Sequence, residues 1–243
     1  MGQLRRFFAL KEEHIGDSFA IVSSYNHIAK VLRARVGERF VINIENELID
    51  YVCEVTNIDK STVYLNIVSS NINYCESKLD ITLFCGCLKG GNMDLVVQKA
   101  VELGVNYIKP FESQFTISCV DNDKANRLTK ISHEASKQCC RAKQVGVEPS
   151  INFNALCSLL PNYDAVIFCN ENGGEKLLSL DLSCANRIAV VVGSEGGFSQ
   201  QEQDILGKIS ISISLGKRIL RAETATFYIL SVLNELAETT FRG

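Results

Sequence analysis

Two segments near the end of the chain carry residue types that can hold a small ligand. Gly193-Ser194-Glu195-Gly196-Gly197-Phe198-Ser199 follows the apolar run Val190-Val191-Val192. Glycines let backbone approach a ligand closely, and open α/β sheets bind their ligands at the carboxyl ends of strands. A tight turn accounts for one glycine but not for a carboxylate set among three. Binding loop and structural turn both stay open on these residues alone. The second segment, Leu215 to Ala225, reads Leu-Gly-Lys-Arg-Ile-Leu-Arg-Ala-Glu-Thr-Ala. Gly216 ends a strand, Ile219 and Leu220 put large apolar side chains into what should be a solvated connection, and Arg221 and Glu223 flank the start of a helix. Backbone donors and acceptors beside apolar side chains suit a flat, neutral ring. The competing account is a loop packed on its own domain with an Arg221–Glu223 pair.

A third segment, Lys89 to Gly104, places Lys89 and two glycines before a helix with Asp94 in its first turn, where the dipole favours it. Spacing alone makes this a generic amphipathic helix. Arg5 and Arg6 lie beside Phe7 and Phe8, and Lys30, Arg33, Arg35 and Arg39 cluster after His27. Such a group can hold nucleic-acid phosphates, and a solvated helix face fits nearly as well. His27 has neither spaced ligands nor a nearby nucleophile, so it reads as structural or RNA-facing.

The elements that must position these residues fall into two patterns. Up to about residue 70 the chain is rich in strands: Phe7–Leu10, Phe40–Ile44, Leu48–Val55 and Thr62–Val68. A short helix is expected after Asn26 as its cap, with Ile28, Val31, Leu32 and the stem of Arg35 on one face and Gly37 in the turn beyond. Ser69 to Lys78 lacks periodicity and is the candidate linker. Beyond it strands and helices alternate. Leu79–Cys85, Tyr107–Ile108, Ala165–Cys169, Ile188–Val192 and Ile211–Leu215 read as strands of a parallel sheet. Met93–Leu103, Lys124 to about Cys140, Gln200–Leu206 and Glu223 to about Glu238 read as helices. Ser199 with Glu202 three residues on is a capping-box pattern. The fold class is therefore α/β, preceded by a small β-rich domain.

With 243 residues, 46% of them hydrophobic and 22% charged, the chain can bury one large core or a small and a medium one, and it is not disordered. Met1 to Leu10 leads straight into Lys11, Glu12, Glu13 and His14, so no secretory signal is expected. No apolar run is long enough to span a membrane. The ten cysteines are then expected to be reduced thiols in a cytoplasmic protein. Cys85 and Cys87 are one residue apart with no second metal-spaced pair, so no structural metal is expected. The net charge of −3 speaks weakly against an extended nucleic-acid surface but leaves room for a local patch. The absence of G-x-G-x-x-G after an early strand, of a phosphate-loop motif, of a nucleophile elbow and of H-E-x-x-H removes most of the weight from the corresponding enzyme classes.

In order along the chain, Arg5-Arg6-Phe7-Phe8, His27 to Gly37, Lys89 with the Asp94 to Gly104 helix, Glu134 to Arg141, Gly193 to Phe198 and Leu215 to Ala225 resemble the RsmE-type family of ribosomal RNA small-subunit uridine N3-methyltransferases. The resemblance implies a PUA-like β-barrel over residues 1–72 and, over 73–243, a SPOUT-type α/β domain whose C-terminal segment forms a deep trefoil knot. It implies a homodimer that binds S-adenosyl-L-methionine at the knot and methylates N3 of one uridine in 16S rRNA within the small subunit. Carried over by position, the cofactor would meet Gly193, Ser194, Glu195, Gly196, Leu215, Gly216, Ile219, Leu220 and Arg221. Arg221 and Glu195 would act in catalysis, Glu195 as proton acceptor or as an orienter of Arg221 or backbone amides. Arg5, Arg6, His27, Arg33, Arg35, Lys89 and Arg141 would contact RNA. The family usually has proline where Ser194 stands, arginine near Gln114 or Phe115, and proline at Val145. A less rigid first loop and altered RNA contacts are therefore expected. The alternatives are a knotted methyltransferase acting on another RNA position, such as a ribose 2′-hydroxyl, and a non-catalytic ribosome-assembly protein.

Overall fold

Alternating apolar and polar residues put one face of each early strand inside. In the computed structural model, which describes residues 4–45 and 47–240, those strands form a single six-stranded sheet. They are β1 (Arg6–Ala9), β2 (His14–Ile15), β3 (Ser18–Ile21), β4 (Arg39–Ile44), β5 (Ile49–Ile58) and β6 (Val63–Ile72), in the order β1-β4-β5-β6-β3-β2. The β1–β4 pair is parallel and the others are antiparallel. Phe7, Phe19, Ile21, Phe40, Ile42, Val55 and Leu65 point into one shared core, closed by Ile28.

Three local expectations give way here. Ser69 to Ile72 are not part of a linker: they extend β6, with Tyr51 opposite Ser70 and Ile49 opposite Ile72. Their side chains are exposed, so backbone pairing rather than burial holds them and no hydrophobic alternation advertises the strand. Asn26–Val31 form a π-helical turn, in which the Leu32 N–H donates to the His27 carbonyl five residues back. The wider turn shifts the face, burying Ile28 and leaving Val31 exposed, while Tyr25 rather than Asn26 stands at the cap. Arg35 lies beyond this turn and is exposed. The hairpin of β2 and β3 carries too short an alternation to be read in advance.

The chain divides into two compact units: one runs to Glu76 and includes Ser136–Gln144, the other comprises Ser77–Ala135 and Val145 onward. Within the second unit lie β7 (Asp80–Gly86), β8 (Tyr107–Glu112), β9 (Ile151–Asn152), β10 (Ala165–Cys169), β11 (Glu175–Lys176), β12 (Arg187–Val192) and β13 (Ile211–Ser214). They make one seven-stranded sheet, ordered β11-β13-β10-β12-β7-β8-β9, and every pair in it is parallel. The helices are α1 (Asn92–Glu102), α2 (Asn122–Gln138, whose last turn belongs to the first unit), α3 (Phe153–Leu159), α4 (Gln200–Ile209) and α5 (Ala222–Thr240).

Both faces of the central strands are buried, which is why Ala165–Cys169 and Ile188–Val192 are continuously apolar. Phe84, Phe111, Phe168, Ala189 and Val191 pack with Leu156 and Leu160 from the α3 region and with Leu206 of α4. The alternate positions Leu83, Cys85, Ile167 and Val190 point the other way and are also buried. On that side α1 packs against α5, and α5 against β12.

Candidate active site

Because β7, β10, β12 and β13 are parallel neighbours, the segments leaving their carboxyl ends emerge at one edge of the sheet. Those after β10, β12 and β13 enclose a cavity of about 500 Å³. Its wall includes Gly193 to Phe198 and Leu215 to Glu223, so every residue expected at the cofactor lies on it: Gly193, Ser194, Glu195, Gly196, Leu215, Gly216, Ile219, Leu220 and Arg221. Two loops separated in sequence by a helix and a strand thus form one container. The carboxyl end of β10 adds Phe168, Cys169, Asn170 and Glu171, and α1 adds Asn92. None of these five was singled out in the sequence. The strand before Asn170 was legible, but its place between β12 and β13 follows from strand order, which periodicity does not report.

The loop 193–198 is held from several sides. Ser199 caps α4 with the expected box: its N–H donates to Glu202 Oε2 at 2.9 Å, and its Oγ accepts from the Glu202 N–H. The other Glu202 oxygen accepts from the Gln114 N–H at 2.8 Å, which joins α4 to the segment 113–116. That segment meets the glycine loop directly, as Ser113 Oγ donates to the Gly197 carbonyl at 3.2 Å and Thr116 Oγ1 to Ser194 Oγ at 3.3 Å. A Cβ on Gly196 would sit 2.7 Å from the Phe115 carbonyl oxygen, so glycine is required for the approach of two backbones. Phe198 anchors the loop's end, stacked on Phe111 and edge-on to Phe168.

Ser194, the departure from the family's proline, is buried, and its hydroxyl is the acceptor for Thr116. Proline would restrict this loop through its ring, and here a side-chain hydrogen bond ties it instead. Gly86, at the end of β7, makes the tightest contact of the site: a Cβ there would lie 2.3 Å from the Ser194 nitrogen.

Glu195 is exposed, and its Oε1 accepts from the Lys89 N–H at 3.0 Å, linking the Lys89-Gly90-Gly91 turn to the glycine loop. Of the roles considered for this carboxylate, orientation of a backbone amide is the one its contact matches. Arg221 is exposed and forms no ion pair among the described residues, so the Arg221–Glu223 pair weighed earlier is not made. Gly216 has φ +118°, in the left-handed region, and nothing lies within 4 Å of where its Cβ would be. Ile219 is 83% exposed on the cavity wall.

The residues expected at RNA separate into two groups. Arg5, Arg33 and Arg35 are exposed in the first unit and Lys89 is exposed in the second. His27 is half-buried, its ring edge-on to Phe7 at 5.4 Å. Arg6 and Arg141 are buried and must be reassigned as structural. Arg6 donates to both Asp50 oxygens, at 2.7 and 2.6 Å, and to Asn43 Oδ1. Arg141 pairs with Glu76 at 2.7 Å, and Glu76 Oε1 also accepts the N–H groups of Ala142 and Lys143. A guanidinium committed to a buried carboxylate has no face to offer a phosphate. Burial alone would raise the Asp50 carboxyl, but hydrogen bonds from Arg6, Asn43 and Asn73 and the Arg6 charge outweigh it and hold it at about 2.

None of the ten cysteines is joined in a disulfide. Among the described residues no three His, Cys, Asp or Glu side chains are grouped to hold a metal ion, and no helix is long and apolar enough to cross a membrane.

Glycine-loop cavity and sheet together define a class, and comparison with known proteins gives it a name. Residues 75–234 match the RNA methyltransferase domain model and residues 23–68 the RNA methyltransferase PUA domain model. The fold is that of a SPOUT-type α/β methyltransferase domain preceded by a PUA-like sheet. Ribosomal RNA small subunit methyltransferase E of Mesomycoplasma hyopneumoniae is 31% identical over 93% of this chain and 97% of its own length. The Aquifex aeolicus protein of the same name is 33% identical over 84% of this chain and 88% of its own. The crystal structure of ribosomal RNA small subunit methyltransferase E from Neisseria gonorrhoeae bound to S-adenosyl methionine is 27% identical, covers 96% of this chain and 98% of that one, and superposes with a TM-score of 0.87. The chain belongs to the ribosomal RNA small subunit methyltransferase E family.

Proposed function

We propose that this protein transfers a methyl group from S-adenosyl-L-methionine to N3 of a uridine in the 16S rRNA of the small ribosomal subunit. The observation that carries the reading is the single cavity built from loops 193–198 and 215–221. Its size falls within the ordinary range for cofactor sites. Open space above the positive-φ Gly216, the exposed side chain of Ile219 and the backbone of the glycine loop suit an adenosyl group, so the residues fit the cofactor. The close relationship to a methyltransferase E whose structure contains S-adenosyl methionine supports the same choice. The knot belongs to this reading, with the two loops as its adjacent crossings.

When bound, the cofactor supplies an already activated methyl group. The protein's task is to hold the acceptor in line and help it lose a proton. Arg221, exposed on the cavity wall and free of ion pairs among the described residues, orients the uridine and stabilises negative charge developing on its imide. Glu195, fixed by the Lys89 amide, keeps the glycine loop and the Lys89 turn together and lies within the same cavity. The target base leaves its stack to enter the site. Arg5, Arg33 and Arg35 of the first unit, with His27, and Lys89 of the second are the RNA-contacting set that exposure supports, reading phosphates and shape. A homodimer acting in the cytoplasm completes the proposal.

The test is to incubate the purified protein and isotopically labelled S-adenosylmethionine with small subunits lacking the modification, then digest the RNA and identify the labelled nucleoside by mass spectrometry. We expect 3-methyluridine at one position. Label on a ribose, or no label with full cofactor binding, would replace this reading by one of the two alternatives.

A further inference from the structure

Glu223 stands in the first turn of α5, on the wall of the cavity. Its Oε2 is sealed from solvent and has no hydrogen-bond partner, while the residue as a whole is partly exposed. One side of the carboxylate is therefore drained of water, and the residue still faces the cavity. No hydrogen bond or ion pair compensates Oε2 among the described residues. Lys217, Arg218 and Arg221 line the same wall, and among the described residues none forms an ion pair with it. The Cys85 thiol feels the charge of Glu223 and also that of Glu195. Burial pushes the Cys85 thiol up, and Cys87 and the two carboxylates push it further, so Cys85 is neutral. The positive end of the helix dipole favours a carboxylate here. Yet Glu223 accepts no N–H, unlike Glu202 at the start of α4.

A carboxylate losing water without a partner is destabilised, and a cation brought by the ligand removes that cost. S-adenosylmethionine has two positive groups, the sulfonium and the α-ammonium of its methionine end. A carboxylate against the sulfonium would stabilise reactants more than the transition state, because that charge disappears as the methyl group leaves. The α-ammonium keeps its charge throughout. Resting on the function proposed above, we infer that Glu223 binds the α-ammonium group of the cofactor's methionine end and so selects ligands that carry the amino acid.

Calorimetric titration of the full chain and its Glu223→Gln variant with S-adenosylmethionine, S-adenosylhomocysteine and 5′-methylthioadenosine tests this. The first two ligands carry the α-ammonium and the third lacks it. We expect the variant to bind both amino-acid-bearing ligands about tenfold more weakly and methylthioadenosine unchanged, the last also serving as the control for folding. Unchanged affinity for the first two would overturn the assignment. So would equal loss for all three, which marks a structural role, or loss confined to S-adenosylmethionine, which marks the sulfonium. If the unaltered protein binds none of the three, the proposed function itself falls, and the assignment with it.

Discussion

Arg221 and Arg6 are both arginines expected to meet RNA or its reacting base, and their surroundings give them opposite roles. Arg221 is exposed and forms no ion pair among the described residues. Arg221→Ala should therefore lower methyl transfer by roughly 10²-fold, the scale for losing one preorganised donor, while leaving the melting temperature in place. Equal turnover by the variant would remove its catalytic role. Arg6→Ala should act on stability instead, by roughly 2–3 kcal/mol. This is less than the ~3–5 kcal/mol for a fully buried pair, because Asp50 keeps 22% of its side chain exposed. The pair also has a pH signature. Asp50 has its carboxyl lowered from 3.8 to about 2 on folding, so its contribution is fully present above about pH 4 and is lost as pH falls through about 2. Denaturant titrations of the native protein and Asp50→Asn over that range should show the gap between them closing toward acid. A constant gap would mean that the ion pair is not what Asp50 supplies.

Among the elements, the carboxyl edge of the parallel sheet is where sequence constraints concentrate. Gly86 ends β7 directly beneath the Ser194 backbone, and even one methyl group would meet the Ser194 nitrogen at 2.3 Å. Gly86→Ala should thus displace the glycine loop and weaken S-adenosylmethionine binding at least tenfold by calorimetry. Ser199→Ala, which removes only the α4 cap, should cost about 1 kcal/mol in chemical denaturation and leave the site in place. The contrast between the two separates loop position from helix stability. If both variants lose affinity equally, the close approach at Gly86 is not what sets the loop. The capping box was legible because it is local, a serine and a glutamate three residues apart. The demand for glycine at position 86 was not, since it comes from a neighbour more than a hundred residues away.

At the scale of the molecule, burial decides which of the ten thiols can react. Cys75, Cys119 and Cys184 are exposed, whereas Cys53 and Cys85 are buried, and burial pushes the Cys53 thiol up to about 12 and raises Cys85 further. Titration with an aromatic disulfide reagent at neutral pH should show the three exposed thiols reacting first, and Cys53 and Cys85 only after denaturation. Rapid reaction of those two in the folded protein would contradict the packing of both cores.

The sequence by itself determined most elements of the second unit, the two-part change of pattern near residue 70, and the ligand-like character of loops 193–199 and 215–225. Each of these is written in local spacing: apolar runs for doubly buried strands, glycines after strands, a cap before a helix. Family resemblance then turned two loops of even standing into an expected cofactor site. Tertiary structure alone decided that both loops wall one cavity, that the end of β10 joins them, and that Glu223 stands there without a partner. It also withdrew Arg6 and Arg141 from the RNA-facing set by burying them against Asp50 and Glu76. The physical reason is the same in each case. Periodicity reports that a face is buried but not against what, and a charged side chain looks alike in sequence whether it meets solvent or a carboxylate forty or more residues away.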